Sequence, residues 1–141
     1  MKALIDIDTS LPLNEISEII KNYIYEQDGI KVIEERKPRE ESRSVGHPPH
    51  WDTGMINHMK QVGYSASVLA SRDFDGGEFM FLDEYDRPTE VFGKSEHYGK
   101  ALIYDVSHKH MVTPHRGHRD EGGNIVGERK VYLFFYKFIE S

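Results

Sequence analysis

A histidine and an aspartate two positions apart, His50 and Asp52, are the first residues whose spacing suggests metal chemistry. In an extended strand, residues i and i+2 point to the same side, so an imidazole and a carboxylate can converge on one ion. The spacing alone is a weak signal, because the 8 histidines and 10 aspartates in 141 residues give roughly 0.6 such triplets by chance. A second triplet, His118-Arg119-Asp120, is indeed present.

The two His-x-Asp pairs differ in whether a third ligand is available. After Asp52 the chain runs for about half its length and reaches His110, whereas no histidine follows Asp120. The first pair can therefore be completed by a distal histidine, and the second cannot in that order. Two histidines and one carboxylate on one face of an ion favour non-haem Fe(II), because they leave coordination positions open.

Composition limits the class of protein. The 141 residues include 38% hydrophobic and 30% charged side chains, which predicts one folded domain over residues 1–141. With 18 Lys and Arg against 24 Asp and Glu, the net charge is −6, which argues against a nucleic-acid partner. The lack of cysteine excludes disulfides, zinc fingers and thiol nucleophiles.

The opening residues do not resemble a targeting segment. Asp6 and Asp8 follow Leu4 and Ile5 too early for the apolar core of a signal peptide to form. No window approaches the roughly eighteen apolar residues that a membrane span needs. We therefore expect a cytoplasmic protein without a membrane partner, and no motif predicts an oligomeric state.

The elements that position the candidate ligands begin with a strand at residues 2–7 and one helix. Thr9 and Ser10 are expected to cap this helix, with Pro12 in its first turn. Apolar residues then recur at helical spacing, at Ile16, Ile19, Ile20, Tyr23 and Ile24. Asp28-Gly29 predicts the C-terminal cap.

The rest of the chain is predicted to form short strands and loops. The expected strands are residues 30–33, 64–70, 78–82, 101–106, 110–114 and 129–139. The Asp75-Gly76 pair predicts a hairpin between 64–70 and 78–82. The last strand is apolar on both faces, which indicates a position covered on both sides. The pattern predicts a mainly β (α+β) fold, a double-stranded β-helix or jelly-roll barrel, with the helix packed outside the major sheet.

Five motifs follow one another between residues 46 and 138. They are His50-x-Asp52, Asp73-Phe74-Asp75-Gly76-Gly77-Glu78, Gly99-Lys100-Ala101-Leu102-Ile103-Tyr104, His110-x-Val112-x-Pro114, and Gly127-Glu128-Arg129 before an aromatic strand. In this order they resemble the Fe(II)/2-oxoglutarate-dependent dioxygenases, and within these the prolyl 4-hydroxylase-like group. No single motif is specific, whereas five in register are.

The resemblance implies a reaction and its cofactors. His50, Asp52 and His110 would bind Fe(II), and the enzyme would use O2 and 2-oxoglutarate, with ascorbate as a further candidate cofactor. One C–H bond of the substrate would be hydroxylated while 2-oxoglutarate is decarboxylated to succinate and CO2. Ser65 and Ser67, which point to the same side of a predicted strand, could supply hydroxyl groups to 2-oxoglutarate.

The resemblance also implies a basic residue that binds the distal carboxylate of 2-oxoglutarate. The family usually places it nearer the distal histidine, about where Arg119 falls. Arg129 is nevertheless preferred, because an aromatic strand follows it, whereas Asp120-Glu121-Gly122-Gly123-Asn124 follows Arg119. Residues 115–127 are then expected to form a lengthened hairpin loop.

Two classes of function remain open from the sequence. The first is an oxidoreductase that hydroxylates a prolyl or other residue in a peptide or protein, with a small molecule or free amino acid as the alternative substrate. The acidic net charge disfavours nucleic-acid demethylation. The second class is a non-catalytic jelly-roll binding module, against which the three intact ligand positions argue.

Overall fold

Antiparallel strands are the main secondary structure of the computed structural model, which describes residues 1–52 and 63–139. The helices are α1 (Leu13–Asp28) and α2 (Lys94–His97). The strands are β1 (Lys2–Asp6), β2 (Val32–Glu34), β3 (Arg39–Glu41), β4 (His47–His50), β5 (Gly63–Leu69), β6 (Asp75–Gly76), β7 (Phe79–Leu82), β8 (Pro88–Phe92), β9 (Lys100–Asp105), β10 (His110–Val112), β11 (His115–Arg116), β12 (His118–Arg119), β13 (Ile125–Val126) and β14 (Val131–Phe138). Neither described helix is long and apolar enough to cross a membrane.

Two antiparallel sheets pack against each other. The major sheet has the order β1-β9-β5-β14-β2. On the edge of β14 that faces away from β5, residues 136–138 pair with β2 and residues 131–133 pair with β3. The minor sheet has the order β4-β10-β7-β8. Side chains from both sheets form one buried cluster, made of Phe79, Phe81, Leu102, Tyr104 and Val112. The predicted jelly-roll fold is confirmed.

Helix α1 covers the outer face of the major sheet, as predicted. Ile16, Ile20 and Ile24 are fully buried, and they share an apolar cluster with Phe134 and Tyr136 of β14. Burial of each isoleucine contributes roughly 1.5–3 kcal/mol. The helix therefore fixes β14 from outside and leaves the opposite face of this strand to the space between the sheets.

The C-terminal end of α1 agrees with the prediction, whereas the N-terminal end does not. Gly29 closes the C-terminus with a left-handed φ of +69°, as expected. At the other end Pro12 is the N-cap residue and no side chain caps the helix, so capping by Thr9 or Ser10 is wrong. The Ser10 hydroxyl instead donates to Asp8 Oδ1 at 2.6 Å, in a turn that precedes the helix.

The predicted hairpin between residues 64–70 and 78–82 is also wrong. Strand β5 pairs with β9 and β14, whereas β7 lies in the minor sheet between β8 and β10. Every residue of β5 is buried, and β9 and β14 occupy both of its edges. No edge is left for β7, so the chain leaves the major sheet after β5 and enters the minor sheet at β7. Gly76 and Gly77 make the crossing with left-handed φ angles of +79° and +65°.

Strand β14 has one face toward α1 and one face toward the cavity between the sheets. Phe134 and Tyr136 belong to the cluster with the helix, whereas Val131, Leu133 and Phe135 line the cavity. This arrangement confirms that the last strand is covered on both sides. It also makes β14 one wall of the candidate site.

Candidate functional site

The three proposed metal ligands meet where β4 and β10 pair. His50 ends β4, Asp52 follows it by two residues, and His110 begins β10 directly opposite His50. One ligand atom from each residue lies within 4.8 Å of the other two. The Nε2 atoms of both histidines lie 3.6 Å from Asp52 Oδ1. The structure thus brings the predicted residues together in a two-histidine, one-carboxylate cluster of the kind that suits Fe(II).

Backbone carbonyl groups orient both imidazoles. His50 Nδ1–H donates to the carbonyl of Pro48 at 2.7 Å, and His110 Nδ1–H donates to the carbonyl of His108 at 3.0 Å. Each hydrogen bond keeps the proton on Nδ1 and leaves the Nε2 lone pair on the side of Asp52. Because a metal binds the unprotonated nitrogen, both rings are already in the tautomer that a ligand needs.

The two carboxylate oxygens of Asp52 have different partners. Oδ2 accepts hydrogen bonds from Ser65 Oγ at 2.5 Å and from the Tyr104 hydroxyl at 3.3 Å. Oδ1 faces the imidazoles of His50 and His110. Since donors from the major sheet occupy Oδ2, Oδ1 is the oxygen that an ion would contact.

The protonation states of the cluster also suit metal binding. Burial acts to raise the pKa of Asp52, but its interactions with His50, His110 and Ser65 together outweigh burial, so this pKa lies below its ordinary value. Burial lowers the pKa of His110. The pKa of His50 is raised, chiefly by its interaction with the nearby carboxylate of Asp52. Near neutral pH the environment therefore favours an ionised Asp52 and a neutral His110.

The cluster lies on the wall of a cavity of about 210 Å³. Most of the remaining wall is apolar or aromatic, from Phe79, Tyr104, Val112, Val131, Leu133 and Phe135. The ring of Phe79 stacks on the His110 imidazole at a centroid distance of 5.2 Å and an angle of 8°. Such a wall limits access of water to the ligand atoms.

Arg129 also lines the cavity and is 5% exposed. Burial lowers its pKa to about 10, which keeps the guanidinium charged at neutral pH. Among the described residues, the buried side-chain nitrogens without a hydrogen-bond partner are Arg129 Nε, His97 Nδ1 and both ring nitrogens of His115.

The two histidines are electrostatic neighbours of Arg129. Burial is the main cause that lowers the pKa of His97, to about 4, and of His115, and the charge of Arg129 lowers both further. We call these three residues the Arg129 corner. Arg129 Nε–H is a buried, charged donor without a partner, so the cavity fits an anionic ligand, which would supply the missing acceptor.

Gly77 makes room for the side chain of Arg129. A Cβ atom at position 77 would lie 2.5 Å from Arg129 Cδ, 3.0 Å from Arg129 Nε and 3.1 Å from His115 Cβ. Such distances are well inside van der Waals contact. The absence of a side chain at Gly77, which also has a left-handed φ, therefore permits the observed position of the guanidinium.

Of the other two predicted site residues, Ser67 lies at the cavity and Arg119 does not. Ser67 lines the cavity, and its carbonyl accepts a hydrogen bond from His97 Nε2 at 2.8 Å. Arg119 lies in an exposed hairpin of β12 and β13, where it donates to the carbonyl of Gly123 at 2.8 Å. The structure therefore brings Arg129 and Ser67, but not Arg119, to the cavity that holds the ligand cluster.

The sequence did not predict the roles of several residues that shape this site. Ser65 was expected, like Ser67, to supply a hydroxyl group to 2-oxoglutarate, whereas its hydroxyl donates to Asp52 Oδ2. Tyr104 lies within one of the five motifs but carried no specific expectation. His97 lies in α2, whose four residues are too few to produce helical periodicity. Its position near Arg129 depends on tertiary structure alone.

Comparisons with known proteins support the fold. No family model matches the chain, and no curated protein matches it either. A crystal structure of an oxidoreductase of the 2OG-Fe(II) oxygenase family from Burkholderia pseudomallei is similar, with a TM-score of 0.61 and 20% sequence identity. The alignment covers 96% of this chain and 67% of that chain. At this identity the likeness shows a shared jelly-roll fold.

Proposed function

We propose that this protein is an Fe(II)- and 2-oxoglutarate-dependent dioxygenase. The observation that carries the proposal is the cluster of His50, Asp52 and His110, whose non-ligating polar atoms are held by other protein groups. The three atoms left over, two Nε2 and one Oδ1, are the donors expected at a facial metal site. The similar fold of a 2OG-Fe(II) oxygenase family protein supports the same interpretation.

The residues of the cavity fit 2-oxoglutarate as well as the metal. Bound Fe(II) would supply the activation of O2, and the protein residues position the reactants. Arg129 would bind the distal carboxylate in a bidentate pair, in which its Nε–H finds the acceptor that it lacks within the protein. Ser67, which lines the same cavity, would donate a hydrogen bond to 2-oxoglutarate through its hydroxyl group. The aromatic wall would exclude bulk water while 2-oxoglutarate is converted to succinate and CO2.

The finer assignment is a prolyl 4-hydroxylase-like enzyme that acts on a prolyl or other residue of a peptide or protein, with ascorbate as an auxiliary reductant. Its support is the order of the five sequence motifs from His50 to Arg129. A peptide would approach such a site past Trp51, which lines the cavity and is 45% exposed.

Succinate formation tests the proposal. Purified protein is incubated in air with Fe(II) and 2-oxoglutarate, with and without proline-containing peptides, and succinate and peptide mass are measured. We expect succinate in the wild type, none with His110→Ala, and wild-type levels with His118→Ala. His118 is a suitable control because it belongs to the second His-x-Asp triplet, in the hairpin of β12 and β13. Equal succinate from the two variants contradicts the proposed metal site.

A further inference from the structure

The mouth of the cavity carries a second group of positive charge. Arg36 and Arg39 line the cavity and are exposed, in contrast to Arg129. The guanidinium carbons of Arg36 and Arg39 lie 4.3 Å and 5.7 Å from the centre of the Phe135 ring. Stacking on a ring leaves the charge and the in-plane N–H donors of a guanidinium in place. Together with Arg129, three arginines thus line the cavity of a chain whose net charge is −6.

The acidic residue nearest to Arg39 is held by a different partner. Glu41 Oε1 lies 3.9 Å from an Arg39 nitrogen, and Glu41 Oε2 pairs with His47 Nε2 at 2.9 Å. The Arg39 side chain is 47% exposed, so its interaction with Glu41 is long and screened by solvent. The guanidinium of Arg39 can therefore turn toward an anion without breaking a buried ion pair.

Phe135 connects this mouth to the metal ligands. It pairs across the sheet with Ser65, the residue whose hydroxyl holds Asp52. Adjacent strands are about 4.8 Å apart, so a ligand over Phe135 lies next to the metal end of the cavity. The Arg129 corner adjoins Val131, which pairs with Leu69, about 14 Å farther along β5 than Ser65. The guanidinium groups over Phe135 and the Arg129 corner beside Val131 thus lie at different points along β14, and Glu41, which interacts with both Arg39 and Arg129, lines the same cavity.

We propose, on the basis of the proposed function, that the primary substrate carries a carboxylate close to the C–H bond that is hydroxylated. Arg39, together with Arg36, binds this carboxylate over the Phe135 ring. Arg129 binds the carboxylate of 2-oxoglutarate at the other end of the cavity. The substrate carboxylate and the 2-oxoglutarate carboxylate therefore bind to different arginines. The same chemistry is offered by the α-carboxylate of an amino-acid derivative and by an acidic side chain in a peptide.

Trp51 provides the readout for a binding test. It is the only tryptophan of the chain, it lines the cavity and it is 45% exposed. Protein loaded with Fe(II) and 2-oxoglutarate is titrated without oxygen while tryptophan emission is recorded. N-acetyl-L-proline is compared with N-acetyl-L-prolinamide, and the peptide acetyl-prolyl-aspartyl-amide with its asparaginyl counterpart. The pair that shows the preference identifies the source of the carboxylate.

We expect the acid to bind about tenfold more tightly than the amide in one of the pairs, as for a charge-assisted hydrogen bond. The preference should fall below about threefold in Arg39→Gln. It should persist in Arg87→Gln, because Arg87 is an exposed arginine paired with Asp83 and does not line the cavity. The preference should also weaken as salt is added, since the mouth is open to solvent.

Two outcomes overturn the inference. The first is equal affinity for acid and amide in both pairs, or no saturable change with any of the four compounds. The second is weaker 2-oxoglutarate binding by Arg39→Gln, because this residue would then serve the co-substrate. The visible charge-transfer band of the Fe(II)–2-oxoglutarate complex is recorded in the same cuvette. If the band is absent, the proposed function fails, whereas a normal band without carboxylate preference contradicts only the substrate class.

Discussion

Replacement of Gly77 by alanine should weaken 2-oxoglutarate binding by displacing Arg129. The new methyl carbon would lie 2.5 Å from Arg129 Cδ, whereas carbon atoms in contact prefer about 3.5–4.0 Å. The side chain must therefore shift by about 1 Å, which is enough to spoil a bidentate pair between guanidinium and carboxylate. A charge-assisted hydrogen bond contributes about 1.5–3 kcal/mol, so the Kd of 2-oxoglutarate should rise by roughly 10- to 100-fold.

Gly123→Ala is the matched control for this substitution. Gly123 has a left-handed φ of +80°, similar to the +65° of Gly77, but a Cβ atom at position 123 would have no described atom of another part of the chain within 4 Å. Both variants therefore carry backbone strain of about 1–2 kcal/mol, while only Gly77→Ala collides with the Arg129 corner. The Kd of 2-oxoglutarate is measured from the anaerobic charge-transfer band, and the free energy of unfolding from urea titration. If the two variants bind 2-oxoglutarate with equal affinity, Gly77 does not position Arg129.

Three further substitutions test the site and the core. Ser65→Ala should lower Fe(II) affinity about 10-fold or more in a metal titration, because the ligand carboxylate loses a hydrogen-bond donor; a similar loss with Ser67→Ala would contradict this role. Because burial lowers the pKa of His97 to about 4, the unfolded chain takes up a proton first as pH falls below about 6.5. The unfolding free energy should therefore drop by about 3 kcal/mol more between pH 7 and pH 4 in the wild type than in His97→Gln, and equal slopes would refute the assignment. Ile20→Ala should cost about 2–5 kcal/mol in urea unfolding, against less than about 1 kcal/mol for the half-exposed Ile19→Ala, and similar losses would contradict the packing of α1.

The ligand cluster was predictable because its signal is local and ordered. The i, i+2 spacing of His50 and Asp52 places both on one side of extended chain, and the distal His110 is part of a motif in the expected order. The aromatic strand that follows Arg129 likewise favoured this arginine over Arg119, and the structure puts Arg129 in the cavity. The continuous run of apolar and aromatic residues in β14 indicated its two covered faces in the same way.

The pairing of β5 was not predictable, because strand partners are chosen by burial across the whole fold. The Asp75-Gly76 pair is a local hairpin signal, but complete burial of β5 between β9 and β14 overrides it. The Arg129 corner has the same origin. His97 comes from a four-residue helix and His115 from a two-residue strand, and only tertiary packing brings them to Arg129.

An anaerobic titration with Fe(II) and 2-oxoglutarate, followed through their visible charge-transfer band, tests the proposed dioxygenase site without needing the primary substrate. We predict a band in the wild type, no band in His110→Ala, and a band that needs at least about tenfold more 2-oxoglutarate in Arg129→Gln. Arg119→Gln should match the wild type, because Arg119 lies outside the cavity. A folded wild-type protein without the band, or a weakened band in Arg119→Gln with a normal one in Arg129→Gln, would contradict the proposed site.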